Sequence, residues 1–328
     1  MNKTALYWIK LEEDKVQCNL CPHNCKINEG QYGVCNVRKN NSGNLETTIY
    51  GEISSMADDP IEKKPLYHFY PGEGILSVGT VGCNFHCTFC QNWNISQEKA
   101  PTKYIAPDEL TKITKRYRSM GVAFTYNEPL IWFEYILDSA KFLQAQDLKV
   151  VLVTNGYVNP EPLSELLPYV DAMNIDLKSP KDEFYKKLCK GTVEPVKNTI
   201  RMASSKCHVE VTTLLVSGEN DSDEDLHDIV DFIAEVNPEI PFHFSRYFPN
   251  YQFNAPATDP GCLSKAYTIA KEKLNYVYLG NINIPGSSDT ICPKCDSMLV
   301  SRSGYFTKIT GLDGNKCKNC GKELNFVR

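Results

Sequence analysis

Asp171-Ala172-Met173-Asn174-Ile175-Asp176-Leu177-Lys178 is the stretch that decides the fold of this 328-residue chain. Side chains alternate between the two faces of an extended strand. Ala172, Asn174, Asp176 and Lys178 therefore share one face, and Met173, Ile175 and Leu177 the other. The apolar face needs a cover of helices, which leaves the polar face for an interior. The same alternation sets His208, Glu210 and Thr212 against Val209 and Val211, and His243, Ser245 and Tyr247 against Phe242 and Phe244. A barrel packed solid inside carries branched aliphatics at such positions, so a polar interior points to a buried ligand site.

Outward from this stretch, strand patterns occur at 74–79, 121–126, 149–154, 171–177, 208–216, 241–247 and 275–279. Helical periodicity occupies 107–119, 130–146, 160–168, 180–188, 195–205, 222–236 and 260–273. Pro107-Asp108-Glu109, Pro129 and Asp221-Ser222-Asp223-Glu224 stand where first helical turns belong. Strand and helix alternating in this way mean a parallel α/β sheet, and about 220 residues suit a partial (β/α)6-type barrel. A doubly wound open sheet is the competing topology. The expected division is a Cys-rich segment over 1–60, a core barrel over 61–285 and a small C-terminal module over 286–328.

With 35 Lys and Arg against 40 Asp and Glu, the net charge of -5 offers no footprint for nucleic acid or an anionic membrane. The 42% hydrophobic and 23% charged residues are those of a globular chain with a large core. The longest aliphatic run is Val150 to Val153, and charges interrupt the N-terminal apolar residues, so neither a membrane span nor a signal peptide is expected. Fourteen cysteines in a chain expected in the reducing cytoplasm suit metal binding better than disulfides. Cys189, Cys207 and Cys262 stand alone and read as small buried hydrophobes; the other eleven form three groups.

Cys83, Cys87 and Cys90 have C-x3-C-x2-C spacing directly after a predicted strand. Three thiolates hold three irons of a [4Fe-4S] cube and leave the fourth open. A closed zinc site needs four ligands, for which His86 is the nearby alternative. Cys292, Cys295, Cys317 and Cys320 form two C-x2-C knuckles joined by two short strand-like runs, the arrangement of a zinc ribbon. About 40 residues bury little core, so metal would supply most of that module's folding free energy. Cys18, Cys21, Cys25 and Cys35 have C-x2-C-x3-C-x9-C spacing, which suits either zinc or an auxiliary, fully ligated Fe-S cluster. Gly30 and Gly33 supply turns that bring Cys35 back to the other three.

Cys83, Cys87 and Cys90, with the aromatic Phe89, resemble the radical S-adenosylmethionine (SAM) signature. The resemblance implies a [4Fe-4S] cluster whose open iron chelates SAM, with Phe89 near the adenine, and reductive cleavage to a 5'-deoxyadenosyl radical that removes a substrate hydrogen atom. Asn127 and Glu128, in Thr125-Tyr126-Asn127-Glu128-Pro129, stand at the place of the superfamily's Gly-Gly-Glu element and are expected at the cofactor's ammonium. The Gly-Gly pair itself is missing. Thr154-Asn155-Gly156 and Ile175-Asp176-Leu177-Lys178 resemble the Thr-Asn-Gly and Asp-x-Lys elements of glycyl-radical-enzyme activases; the resemblance implies that Asp176 and Lys178 contact the ribose or the methionine carboxylate and makes Asn155 a further cofactor-binding candidate. His243 resembles a ribose-contacting histidine of the same proteins. Read from the residues alone, Asp176 and Lys178 are also a lumen ion pair and His243 a satisfied core histidine.

The N-terminal cysteine run, Cys90-Gln91-Asn92-Trp93, Tyr126-Asn127-Glu128-Pro129 and the Cys292-Pro-Lys-Cys295 unit are together similar to the AmmeMemoRadiSam system radical enzymes. That similarity implies Memo-type and AMMECR-type protein partners and an electron donor such as flavodoxin or ferredoxin, without naming the substrate. The expected function is a radical enzyme acting on a small-molecule or peptide-like substrate. The alternatives are an activase that installs a glycyl radical on a partner protein and a non-catalytic metal-binding scaffold. RNA modification is disfavoured by the charge and by the lack of an RNA-binding appendage.

Overall fold

The computed structural model describes residues 2–328. One sheet contains β1 (Ser55–Pro60), β2 (Gly74–Gly79), β3 (Gly121–Phe124), β4 (Lys149–Thr154), β5 (Ala172–Asp176), β6 (His208–Leu215), β7 (Phe242–Arg246) and β8 (Val277–Gly280), in chain order. β1 runs antiparallel to β2, and every later pair is parallel. Between successive parallel strands lie α1 (Pro107–Arg116), α2 (Phe133–Gln144), α3 (Pro160–Leu166), α4 (Glu194–Ser204), α5 (Asp223–Val236) and α6 (Pro260–Lys271).

A doubly wound sheet reverses its strand order at a switch point. Here the order never reverses, so right-handed crossovers lay every helix on the same face. The sheet curls into a partial barrel whose end strands, β1 and β8, do not pair with each other. Met173, Ile175, Val209 and Val211 point outward as their alternation requires, in one buried cluster with Val196 and Ile200 of α4. Proline opens α1, α3 and α6, where a missing N–H costs nothing. Ser222 accepts from the Asp225 N–H at 3.2 Å at the start of α5. The expected helix over 180–188 is one short turn, Asp182–Phe184, continued by a wider π turn, Tyr185–Cys189, that ends at Lys190 with φ of 64°.

The polar face does line the interior, and the chain itself fills its lower half. Glu210 is wholly buried and accepts from the His68 N–H at 2.7 Å, His208 Nε2 at 3.0 Å and His243 Nε2 at 2.6 Å. These bonds hold its carboxyl far below the usual range even though burial opposes ionisation. Asn174 donates to the Pro65 carbonyl at 2.8 Å and accepts from Thr212 at 3.0 Å. The polar residues near the N-terminal strand ends thus bind the inserted segment at Pro65 and His68. The free part of the interior is the mouth, at the C-terminal strand ends.

The N-terminal part forms two small three-stranded sheets, one built from Lys3–Thr4, Arg38–Asn41 and Asn44–Thr47, the other from Trp8–Lys10, Val16–Cys18 and Lys26–Ile27. A buried Arg38–Glu134 ion pair at 2.5 Å ties it to α2. At the other end, Thr290–Ile291, Met298–Ser303 and Phe306–Ile309 form an antiparallel ribbon. The C-terminal tail seals the barrel floor: the Tyr70 N–H donates to the Val327 carbonyl and the Val327 N–H to the His68 carbonyl, at 2.8 and 2.9 Å. Arg302 reaches the Tyr67 carbonyl at 2.7 Å.

Replacing Glu210 with Leu strips three donors of their buried acceptor, and loss of about 3 kcal/mol is expected. Urea unfolding of the Glu210→Leu chain checks this; an unchanged midpoint would show that the lumen network does not stabilise the barrel.

Candidate active site at the barrel mouth

β2 runs out at Gly79, and the chain turns at Gly82 with φ of +85°. A Cβ at Gly82 would stand 2.7 Å from the Cys35 carbonyl oxygen, so only glycine lets the loop pass the N-terminal module so closely. The loop then presents Cys83, Cys87 and Cys90 at the mouth. Asn127, just past β3, locks it by accepting from the Thr80 N–H at 3.0 Å and donating to the Gly82 carbonyl at 2.8 Å. Asn155, just past β4, donates to Asn84 Oδ1 at 2.9 Å and toward Cys83 Sγ at 3.8 Å. Both side chains therefore position the loop.

Glu128 lies beneath, 2% exposed. Its Oε1 accepts from Thr154 Oγ1 at 2.6 Å and from the Leu130 N–H at 2.9 Å, and its Oε2 accepts from the Asn155 N–H at 2.8 Å. The Leu130 bond caps the 3-10 turn Pro129–Trp132, so this carboxylate starts a helix as well as facing the mouth. Burial pushes its pKa up to about 7 against the pull of those three bonds. A carboxylate has about four acceptor positions, which leaves about one for a ligand.

Asp176 and Lys178, at the end of β5 and just beyond, pair at 2.8 Å. Lys178 is held cationic well above its usual range: burial opposes the charge, and Asp176 and the sulfurs of Cys87 and Cys189 outweigh it. Phe89 is buried against Phe184, ring centres 5.8 Å apart. His243, level with Asp176 across Thr212, is held by Glu210 and edge-on to Tyr67 with centroids 4.8 Å apart. Cys189, which reads as isolated in the sequence, sits beside Cys87. Its hydrogen bond is the main cause of the lowered Cys87 pKa, and its carbonyl accepts from the His86 N–H at 2.9 Å. The π turn carries it there, and no spacing pattern in the sequence announces that contact. A groove of about 550 Å³ between Ser54–Met56 and α1 includes none of these residues.

The three sulfurs suit an iron-sulfur cube better than zinc. Among the described residues, the set whose ligand atoms all lie within 4.8 Å of one another is Cys292, Cys295, Cys317 and Cys320. The triad is wider, as it must be when each thiolate takes a different iron. Donors face its sulfurs: the Phe85 N–H lies 3.3 Å from Cys83 Sγ, and Ser96 Oγ lies 3.2 Å from Cys90 Sγ. Burial first, then the neighbouring negative groups, raises Cys83 far above a free thiol.

A parallel partial barrel with a three-cysteine loop after its first parallel strand defines a class: proteins that hold an iron-sulfur cluster at the C-terminal mouth with one iron open to a ligand. The profile of the radical SAM superfamily matches residues 77–233. An uncharacterised protein of Methanocaldococcus jannaschii is 41% identical over 99% of each chain. The pyruvate formate-lyase-activating enzyme of Clostridium pasteurianum is 30% identical over 35% of this chain and half of its own length. A radical SAM methyltransferase from Sphaerobacter thermophilus superposes with a TM-score of 0.51 over 64% of this chain and 67% of its own, at 15% identity, a likeness of fold alone. The chain belongs to the radical SAM superfamily, which brings iron-sulfur and SAM binding with it. Membership supports an enzyme without specifying the reaction. No helix among the described residues is long and apolar enough to cross a membrane.

Thr154→Val removes a donor to the ionised Glu128, so its pKa should rise further above about 7. Infrared titration of the carboxyl stretch in the apo chain checks the sign; an unmoved or lowered midpoint would show that Thr154 does not stabilise the carboxylate.

Proposed function

We propose that this chain is a radical SAM enzyme that removes a hydrogen atom from a small-molecule or peptide-like substrate, working with Memo-type and AMMECR-type proteins and a flavodoxin or ferredoxin donor in the cytoplasm. The observation that carries this is the convergence of the cysteine triad, Glu128 and the Asp176–Lys178 pair at one end of the strands. When bound, the cluster and SAM supply one-electron cleavage to a 5'-deoxyadenosyl radical. Cys83, Cys87 and Cys90 hold the cluster. Glu128 takes the cofactor's ammonium with its remaining acceptor position, and Lys178 takes the methionine carboxylate. Asp176, with 37% of its side chain exposed, is the acceptor for ribose hydroxyls. Phe89 walls the adenine side. Asn127 and Asn155 act through the loop they hold, and His243 acts through the lumen network that shapes the floor.

The likeness to pyruvate formate-lyase-activating enzyme supports a second reading, an activase for a glycyl-radical protein. A protein-based radical on an added partner would favour it; product from a small molecule would favour the first. Cys292, Cys295, Cys317 and Cys320 hold structural zinc in the ribbon over 286–328: sulfurs at 3.6 and 3.7 Å match tetrahedral zinc-thiolate spacing, about 3.8 Å from a Zn–S bond of about 2.3 Å.

Anaerobic reconstitution, reduction and addition of SAM should yield 5'-deoxyadenosine, and Cys87→Ala should abolish it. Undiminished 5'-deoxyadenosine from that variant would overturn the assignment of the triad.

Glu128→Gln should weaken SAM binding by about ten- to a hundredfold, the worth of a charge-assisted bond of about 1.5–3 kcal/mol. The Glu128 carboxyl keeps its proton up to about pH 7, above the usual carboxyl range, and binding an ammonium must displace it. Affinity of the parent chain should therefore rise from pH 6 to about 7.5, where the cofactor's own amine begins to titrate. Calorimetry across that range checks both points; a profile shared by parent and Glu128→Gln would place the ammonium elsewhere.

Cys295→Ser should cost the chain about one zinc and expose residues 286–328 to protease. Unchanged zinc content would show that the ribbon does not bind it.

A further inference from the structure

Cys18, Cys21, Cys25 and Cys35 belong to no part of the SAM site, and their spacing in sequence leaves zinc and iron-sulfur both open. The structure separates the two. All four cysteines wall one narrow cavity of about 10 Å³, room for about one water molecule. They are not among the groups whose ligand atoms lie within 4.8 Å of one another, whereas the ribbon cysteines of the same chain are, with sulfurs at 3.6 and 3.7 Å. One four-cysteine set is thus drawn to zinc spacing and the other is spaced more widely. A cube needs such wider spacing, because each thiolate binds a different iron and the inorganic sulfides lie between them.

The wall chemistry agrees. Arg38 lines the cavity, is 1% exposed and carries a fixed cation toward Cys18, its Nη1 lying 3.9 Å from that sulfur. Its Nη2 is taken by Glu134 and its Nη1 also by the Leu6 carbonyl, but its Nε–H has no partner. The Val34 N–H lies 3.5 Å from Cys25 Sγ, and N–H groups of His23 and of Val37 and Arg38 face Cys21 and Cys35. Such donors stabilise sulfur-borne negative charge.

The set also adjoins the triad loop. His23 Nε2 meets the carbonyl of Asn84, the residue after Cys83, at 2.7 Å, and His86 Nε2 meets the carbonyl of Val34, the residue before Cys35, at 3.1 Å.

We propose that Cys18, Cys21, Cys25 and Cys35 hold a second [4Fe-4S] cluster, fully ligated and joined to the radical centre through the His23–Asn84 contact. With four thiolates it has no open iron for SAM, and its role is to carry single electrons from a low-potential donor.

The test uses the full chain with Cys83, Cys87 and Cys90 all replaced by Ala, reconstituted anaerobically with iron and sulfide in the presence of zinc. About four irons and four sulfides per chain, a cubane Mössbauer signature and about one zinc are expected. About two zincs without iron, or a single iron without sulfide, would overturn the proposal. Should that variant fold poorly, the parent chain and Cys21→Ser/Cys25→Ser are compared: iron should fall from about eight to about four per chain, and a parent with about four irons overturns the proposal. Since the triad variant cannot cleave SAM, its iron reports the second site alone, while 5'-deoxyadenosine from the parent reports the radical reading alone.

Discussion

Everything at the barrel mouth answers to one electrostatic constraint: three cysteine sulfurs and the Glu128 carboxylate converge where water is largely excluded. Burial first, and then the charge of Glu128 on Cys83 and of Asp176 on Glu128, favours the protonated form of both. The cation in reach is Lys178, already shared with Asp176 and influenced by Cys87 and Cys189. The mouth therefore carries more potential negative charge than its own residues balance. Positive charge arriving at the sulfurs and beside Glu128 would relieve it. The surrounding elements exist to bear the strain: Asn127 ties the loop to the end of β2, Asn155 ties it to the end of β4, and Thr154 with two backbone N–H groups holds the carboxylate in place.

The same charge explains how the lower barrel is built. Glu210 is also a wholly buried carboxylate, yet its pKa lies far below the ordinary range, whereas that of Glu128 is raised. The difference lies in its partners. Glu210 has two imidazoles and a backbone N–H, donors that accept part of the charge or carry a compensating one. Glu128 has a hydroxyl and two backbone amides, neutral dipoles that leave the charge uncompensated. One carboxylate is satisfied by the protein and closes the floor; the other is left short and faces the mouth.

Much of this was legible in the sequence, for physical reasons that differ by element. Strand order follows from strand-helix alternation because crossovers are right-handed and short, and the period of two along Asp171–Lys178 placed Asp176 and Lys178 inside. Local spacing is enough to mark Cys83, Cys87 and Cys90, since their loop closes within eight residues. What stayed hidden depends on contacts between distant segments. Glu210 receives the His68 N–H across 142 residues, which turned an apparent ligand lumen into a filled one. Cys189 reaches Cys87 through a π turn where the periodicity promised an ordinary helix. His243 stands level with Asp176 across Thr212, as its pattern suggests, and the Glu210 carboxylate two residues back on the neighbouring strand takes its Nε2.

The reciprocal contacts His23–Asn84 and His86–Val34 make the N-terminal segment and the triad loop parts of one construction. Each histidine leaves its own cysteine group and hydrogen-bonds a carbonyl adjoining a cysteine of the other group, so neither loop can change shape without breaking a bond that orders its neighbour. Gly82 allows the close pass, and the Arg38–Glu134 pair fixes the N-terminal sheet against α2, whose first turns follow directly from the Glu128 cap. The N-terminal cysteines are far from the triad in sequence and bonded to its loop in space. A change in the shape of either loop is therefore felt by the other through backbone geometry.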